Sequence, residues 1–146
     1  MAAIGRTRAS LRIYGDDLDP DAISVLLGVL PSSSTRKRQA RVGRSGSKQT
    51  ERIGRWQLAV ARRRPGDLDN QLVELLSPLN PDTGVWRSLV ARFSVDIFCG
   101  LFMEEWNEGF TLRPETLEMI ASRGLSIGFD IYGPPSGEDS KQKGEP

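Results

Sequence analysis

Four stretches of the chain alternate apolar and polar residues with a period of two, a pattern typical of strands that bury one face. They cover residues 9–14, 56–61, 93–102 and 125–132. In the first stretch, Leu11 and Ile13 lie on one side of the backbone and Arg12 lies on the other. Because each stretch has an apolar side, we expect all of them to contribute to one sheet that covers a hydrophobic core.

Segments with helical spacing separate these strands. Apolar residues recur at intervals of three and four after Pro20, Leu68, Val85 and Pro114, and Asp19 is placed to cap the first helix. The two middle segments predict a helical hairpin. The sequence therefore predicts an α+β fold: a ferredoxin-like antiparallel sheet of four to five strands, with helices mainly on one face and the helical hairpin inserted between two βαβ-like halves.

The composition divides the chain into one domain and three flexible parts. A length of 146 residues with 38% hydrophobic content suits one domain, which we place at residues 9–133. Residues 1–8 are predicted to be flexible, and residues 31–50, which are almost free of apolar side chains, to form a mobile basic loop. The tail 134–146 contains no hydrophobic residue and is predicted to be disordered.

Positive charge is concentrated in and after this loop. The stretch 36–64 contains 11 basic residues and one acidic residue, although the whole chain has a net charge of +1. The loop's candidate polyanion-binding residues are Arg36, Lys37, Arg38, Arg41, Arg44 and Lys48. They have no aromatic neighbours on which bases could stack, so the loop predicts weak, non-sequence-specific nucleic-acid contact, with a solvated loop as the alternative.

Several functional classes are disfavoured by what the sequence lacks. No apolar run approaches the ~20 residues that span a bilayer, so we expect a cytoplasmic protein without membrane contact. The chain contains no histidine, and its single cysteine, Cys99, lies on an apolar strand face. Neither a nucleophile–histidine pair nor a Cys/His metal site can form, so no enzymatic activity, metal or cofactor is expected.

An acidic turn at residues 16–21 is the remaining candidate for a metal site. It contains Asp16, Asp17, Asp19 and Asp21, but the spacing of these residues is not that of a calcium-binding loop. Helix capping and solvation are the simpler interpretation.

The polar face of the predicted sheet is the best candidate for a site. It combines aromatic and charged residues, while Gly100 and Gly128 leave room for a shallow pocket. We expect Asp96 and Asp130 to be close neighbours, with Arg12 within pairing distance of at least one of them. The alternative is that helices or a second subunit cover this face. The candidate ligand or partner surface comprises Arg12, Tyr14, Gln57, Asp96, Phe98, Asp130 and Tyr132.

Five ordered motifs along the chain carry a family resemblance. They are Tyr14-Gly15-Asp16-Asp17-Leu18-Asp19-Pro20-Asp21, Leu26-Leu27-Gly28, Gly54-Arg55-Trp56-Gln57-Leu58, Leu112-Arg113-Pro114-Glu115 and Phe129-Asp130-Ile131-Tyr132. With these motifs, the chain from Leu11 to Tyr132 resembles the bacterial domain-of-unknown-function family 4279. The resemblance implies a small bacterial α+β protein and brings no activity with it.

Together these features favour a non-catalytic binding or regulatory module whose partner is an unknown protein or small ligand. The sequence leaves a homodimer open. Nucleic-acid binding through the basic loop is the alternative function.

Overall fold

The computed structural model describes residues 2–38, 40–42, 46, 48–50 and 52–136. Four helices are present in this part of the chain: α1 (Pro20–Leu27), α2 (Leu68–Leu76), α3 (Thr83–Arg92) and α4 (Pro114–Ser122). The strands are β1 (Ala2–Ala3), β2 (Arg6–Gly15), β3 (Ser33–Thr35), β4 (Ala40–Val42), β5 (Lys48–Thr50), β6 (Gly54–Ala59), β7 (Ser94–Phe102), β8 (Glu108–Gly109) and β9 (Ser126–Tyr132). No helix in the described residues is long and apolar enough to cross a membrane.

The main sheet has five strands in the order β3-β6-β2-β7-β9. Strand β2 is central and pairs antiparallel with both β6 and β7. At the edges, β3 is antiparallel to β6, whereas β9 is parallel to β7. Two small sheets, β1–β8 and β4–β5, complete the described strands.

The α+β class is confirmed, but the prediction of an antiparallel sheet is wrong. Strand β9 runs parallel to β7 because α4 carries the chain back between them, as parallel neighbours require. The predicted ferredoxin-like plan also took the chain from α1 directly to β6. In the structure α1 is followed by β3, and β6 lies between β3 and β2.

Alternation along the strands separates a buried face from an open one. Leu11, Ile13, Trp56 and Ile97 are fully buried and join apolar residues of all four helices in one core. The indole Nε1 of Trp56 also donates a hydrogen bond to Ser24 Oγ on α1 at 3.1 Å. The helices therefore cover one face of the sheet.

Helix α1 starts and ends as its sequence predicts. The Asp19 carboxylate accepts a hydrogen bond from Asp21 N at 3.1 Å, and Pro20 occupies the first turn. Gly28 terminates the helix with a φ of 82°, a left-handed conformation that glycine adopts without steric cost. Capping therefore explains the role of Asp19.

A buried polar cluster ties α2 to β2. Gln71 is fully buried, and its Nε2 donates to the carbonyl oxygens of Thr7 and Ala61, both at 3.0 Å. The Thr7 hydroxyl donates to Gln71 Oε1 at 2.5 Å and accepts from Asp67 N at 2.9 Å. These bonds satisfy backbone groups just beyond the end of the β2–β6 ladder.

Two segments that the sequence predicts to be flexible contain regular structure. Residues 2–8, predicted to be flexible, include β1 and the start of β2, and Ile4 and Thr7 are buried. The interval 31–50, predicted to be a mobile loop, contains β3, β4 and β5. Residues 134–136 of the predicted tail have no regular structure, and the remainder lies outside the described residues.

We expect Gln71→Leu to lower the free energy of unfolding by about 1–3 kcal/mol, because it removes the hydrogen bonds of the Gln71 amide and leaves the buried Thr7 hydroxyl without its acceptor, while Thr7 O keeps its bond from Arg63 N. Urea denaturation followed by circular dichroism measures this loss. The control is Glu74→Leu on the same helix, which removes only a surface ion pair with Arg63. It should lower the free energy of unfolding by about 1 kcal/mol or less. Equal losses for the two variants would contradict a stabilising role for the Gln71 cluster.

Candidate functional site

The open face of the sheet brings most of the predicted site together. Strand register places Gln57, Arg12 and Asp96 side by side on β6, β2 and β7. Tyr14 lies two residues further along β2 and Phe98 two residues further along β7, on the same face as Arg12 and Asp96. The described helices leave this face uncovered, and its side chains remain partly exposed.

Arg12 and Asp96 form a two-point ion pair at the centre of the face. Arg12 Nε lies 2.9 Å from Asp96 Oδ1, and Nη2 lies 2.7 Å from Oδ2. The guanidinium also lies over the Phe98 ring, 4.6 Å from its centroid. Hydrogen bonding to Asp96 raises the pKa of Arg12 above its usual value, so the side chain remains charged. Its Nη1 group has no partner in the described part of the chain.

A chain of weaker hydrogen bonds continues from this pair towards the β3 edge. Gln57 Nε2 donates to the Tyr14 hydroxyl at 3.3 Å, and the Ser33 hydroxyl donates to Gln57 Oε1 at 3.3 Å. Next to them, Ser32 Oγ accepts from the backbone of Ala59 at 2.9 Å. These contacts fix the position of polar side chains around a depression in the sheet surface.

Asp130 and Tyr132 belong to a different part of the face. Asp130 lies opposite Gly100, whereas Asp96 lies opposite Ser126, four residues earlier on β9. The carboxylates are therefore separated by about 13 Å along the strand direction. The prediction that they are close neighbours is wrong, although both lie on the open face, because the parallel register offsets them.

Tyr132 takes part in an aromatic stack at the far end of the sheet. Its ring stacks on Phe102 with centroids 4.7 Å apart, and the guanidinium of Arg6 lies 4.5 Å from the Phe102 centroid. Nearby, a Cβ at Gly100 would approach Arg8 Nε to 2.9 Å. Gly100 thus lets the Arg8 side chain lie close against β7.

A shallow cavity of about 350 Å³ lies over β2 and β6, on the side of Arg12 away from β9. Small residues, Ser10 and Ala59, form part of its lining, and Phe98 contributes an aromatic wall. Three arginines and no carboxylate line it. The full lining comprises Arg8, Ala9, Ser10, Arg12, Ser32, Ser33, Gln57, Ala59, Val60, Arg62 and Phe98.

The cavity contains residues that sequence reasoning missed. Arg8 belongs to the N-terminus that is predicted to be flexible, while Ser32 and Ser33 lie in the predicted loop. For Arg62 the sequence indicates only membership of the basic stretch. For Arg8 a signal was available, because it continues the alternation of Ser10 and Arg12 by one step. The serines carry no such signal, since only the pairing of β3 with β6 brings them here.

The basic loop residues are partly neutralised by the acidic turn 16–21. Arg36 pairs with Asp19 at 2.9 Å and with Asp21 at 2.8 Å, and Lys37 pairs with Asp16 at 3.4 Å. Arg38 is exposed, whereas Arg41 and Lys48 belong to β4 and β5. Arg44 lies outside the described residues. The acidic turn thus holds cations of the chain itself.

A second cavity, of about 360 Å³, lies between α3 and α4 and is lined by Arg87 and Arg123. Arg123 is 8% exposed, and burial lowers its pKa. Its Nη1 donates to the carbonyl of Met119 at 2.9 Å, at the end of α4, and its guanidinium lies 5.5 Å from the Trp86 ring centroid. Its contacts with the Met119 carbonyl and the Trp86 ring indicate a structural role for Arg123.

Cys99 lies in the core, where its thiol is shielded from solvent. Cys99 is fully buried, and burial raises the pKa of its thiol to about 12. A thiol that stays protonated is a poor nucleophile. Across the residues that the structure describes, no three His, Cys, Asp or Glu side chains are grouped so as to hold a metal ion.

Fold and site define a small α+β domain that has a basic cavity on the uncovered face of a mixed sheet. Over residues 5–134 the chain matches the model of a family described as Domain of unknown function (DUF4279), and it belongs to that family. The resemblance inferred from the sequence is confirmed. No curated protein and no solved structure matches the chain.

We expect Cys99 to resist thiol reagents in the folded protein at pH 8 and to react fully in denaturant, because it is buried and protonated. Labelling with a chromogenic disulfide measures both states. The pKa of the Cys99 thiol is 9.0 in the unfolded chain and about 12 in the folded protein. The stability that this group contributes is therefore present below pH 9 and falls as the pH rises further. Rapid labelling of native protein would contradict a core position.

Proposed function

We propose that this chain is a non-catalytic binding module that holds a small anionic ligand with a flat apolar part in the cavity over β2 and β6. The observation that carries the proposal is the lining of that cavity, which includes Arg8, Arg12 and Arg62 and no carboxylate. A volume of about 350 Å³ suits a small molecule.

Charge distribution supports an anion in this place. The two-point pair with Asp96 occupies Nε and Nη2 of Arg12, and its Nη1 group remains available to a ligand. Arg8 contacts the Phe102 ring at 5.5 Å and has no carboxylate partner among the described residues. A guanidinium presents several donors in a planar fork that matches carboxylate and phosphate oxygens.

Polar and aromatic groups support recognition of the rest of the ligand. The hydroxyls of Ser10 and Ser33 and the amide of Gln57 line the cavity and can exchange hydrogen bonds with ligand oxygens. Phe98 offers an apolar wall beside them. Ser10 and Ala59, with their small side chains, leave the space that a ring would occupy.

Phenyl phosphate is a suitable probe, with inorganic phosphate and phenol as its charged and apolar halves. We expect phenyl phosphate to raise the melting temperature of the wild-type protein more than either half does at equal concentration. Arg8→Ala should weaken its binding about tenfold, the value of one charge-assisted hydrogen bond. Isothermal titration calorimetry measures the affinity.

Two variants make this result specific. Ser10→Leu fills the cavity without changing charge and should also weaken binding. Arg87→Ala removes an arginine from the second cavity and should leave binding unchanged. Binding that is lost in Arg87→Ala and kept in Arg8→Ala would place the ligand between α3 and α4 and refute the proposal. Phenol that raises the melting temperature as much as phenyl phosphate does would also refute it.

Nucleic-acid binding through the basic loop has less support. Arg36 and Lys37 already pair with the acidic turn, so counterion release from a polyanion would have to compete with these contacts. We therefore expect only weak binding to a random DNA duplex, decreasing steeply from 50 mM to 200 mM salt in a gel-shift titration, in line with a slope of about −0.9 per phosphate contact. Tight, salt-resistant binding would favour the nucleic-acid function instead.

A further inference from the structure

We propose that a second copy of this chain pairs with β9, strand to strand, and extends the sheet across a two-fold axis. Strand β9 is the last strand in the sheet order and is bonded to β7 on one side only. This surface lies at the opposite edge from β3, so the proposal does not depend on the cavity over β2 and β6.

The outer edge of β9 lacks the features that usually prevent strand association. Residues 126–132 include no lysine, arginine or proline, and Asp130 is their only charge. Natural edge strands are commonly kept short or protected by such residues. The opposite edge follows this rule, since β3 has only three residues, whereas β9 has seven and exposes 61% of Ile131 and 37% of Phe129.

Backbone direction fixes which groups face the partner. Met103 N donates to Tyr132 O, so the polar backbone groups of Tyr132 face β7. Because these groups alternate sides along a strand, those of Ile127, Phe129 and Ile131 face outward. No strand partner occupies them in the described part of the chain.

One antiparallel register satisfies all of these groups. With the two-fold axis at Phe129, this residue faces its own copy as a hydrogen-bonded pair, and Ile127 faces Ile131 of the partner subunit. Asp130 then faces a glycine, Gly128 of the partner subunit, and not another aspartate. A shift of the axis to Asp130 would oppose the two carboxylates, which destabilises a strand pair.

Side chains favour the same register. Ile127, Phe129 and Ile131 share one face of β9, so the two copies would join six apolar side chains across the new strand pair. Phe110, whose ring centroid lies 5.7 Å from that of Phe129, borders this patch and is itself 39% exposed. Pairing would remove this apolar surface from water, and the two-fold axis closes the assembly at two chains.

Analytical ultracentrifugation of the full chain from 1 to 200 µM tests the assembly, with a monomer–dimer equilibrium as the expected result. Ile131→Pro removes an outward N–H from each copy and no bond to β7, so it should raise the dimer dissociation constant about a hundredfold. Ile131→Thr keeps this donor and the branched shape, and should remain substantially more associated than the proline variant. Circular dichroism verifies that both variants fold.

Crosslinking tests the register without requiring a disrupted strand. In the proposed pair the two Phe129 Cα atoms lie about 5.5 Å apart, so Phe129→Cys should form a disulfide-linked dimer under mild oxidation. Both cysteine variants carry Cys99→Ala as well, because Cys99 is the neighbour of Phe129 on β7 and its thiol could otherwise pair with the new one. Ile131→Cys is the control, because its two copies would be about 13 Å apart along the strands. A monomer throughout the range, larger oligomers, or a dimer unaffected by Ile131→Pro and not crosslinked through Phe129→Cys would each overturn the proposal.

Discussion

Strand β2 lies at the centre of the sheet and is bonded on both sides, to β6 and to β7. Its strict alternation forces Leu11 and Ile13 into the core and Arg8, Ser10 and Arg12 onto the opposite face. A shift of one residue in either ladder would move charged side chains into the core, which costs far more than a hydrogen bond returns. Burial of the apolar side chains on one face of the sheet therefore fixes which side chains lie on the other face.

On the open face, the ion pair with Asp96 sets the orientation of Arg12. Asp96 satisfies two donors of Arg12 and leaves the other side of that guanidinium directed to its surroundings. On the same face, Arg6 and Arg8 contact the Phe102 ring, and Arg62 borders the cavity over β2 and β6. An exposed ion pair adds little stability, so its main consequence here is to hold Arg12 in one orientation.

The acidic turn and the basic segment after α1 interact with each other. Asp19 serves both as the cap of α1 and as a partner of Arg36. These contacts lie beside β3, whose pairing with β6 brings Ser33 next to Gln57. A segment that looks unstructured by composition thus contributes both to the sheet edge and to the lining of the cavity.

Local sequence determined the elements whose signals are short-range. The alternation of Leu11, Ile13 and Arg12, the cap at Asp19 and the stop at Gly28 each follow from neighbouring residues, and each is found in the structure. The same alternation was enough to predict one face that holds Arg12, Tyr14, Gln57, Asp96 and Phe98. The family resemblance, too, could be read from ordered motifs along the chain.

Tertiary structure decided what depends on which strands become neighbours. Ser33 carries no apolar alternation, so only its pairing with β6 makes it part of a strand and of the cavity. Asp96 and Asp130 share a face, but their separation depends on the parallel register of β7 and β9, which no local pattern encodes. Periodicity specifies which side of a strand a residue occupies; strand order and register arise from packing between distant segments, and these set which residues meet.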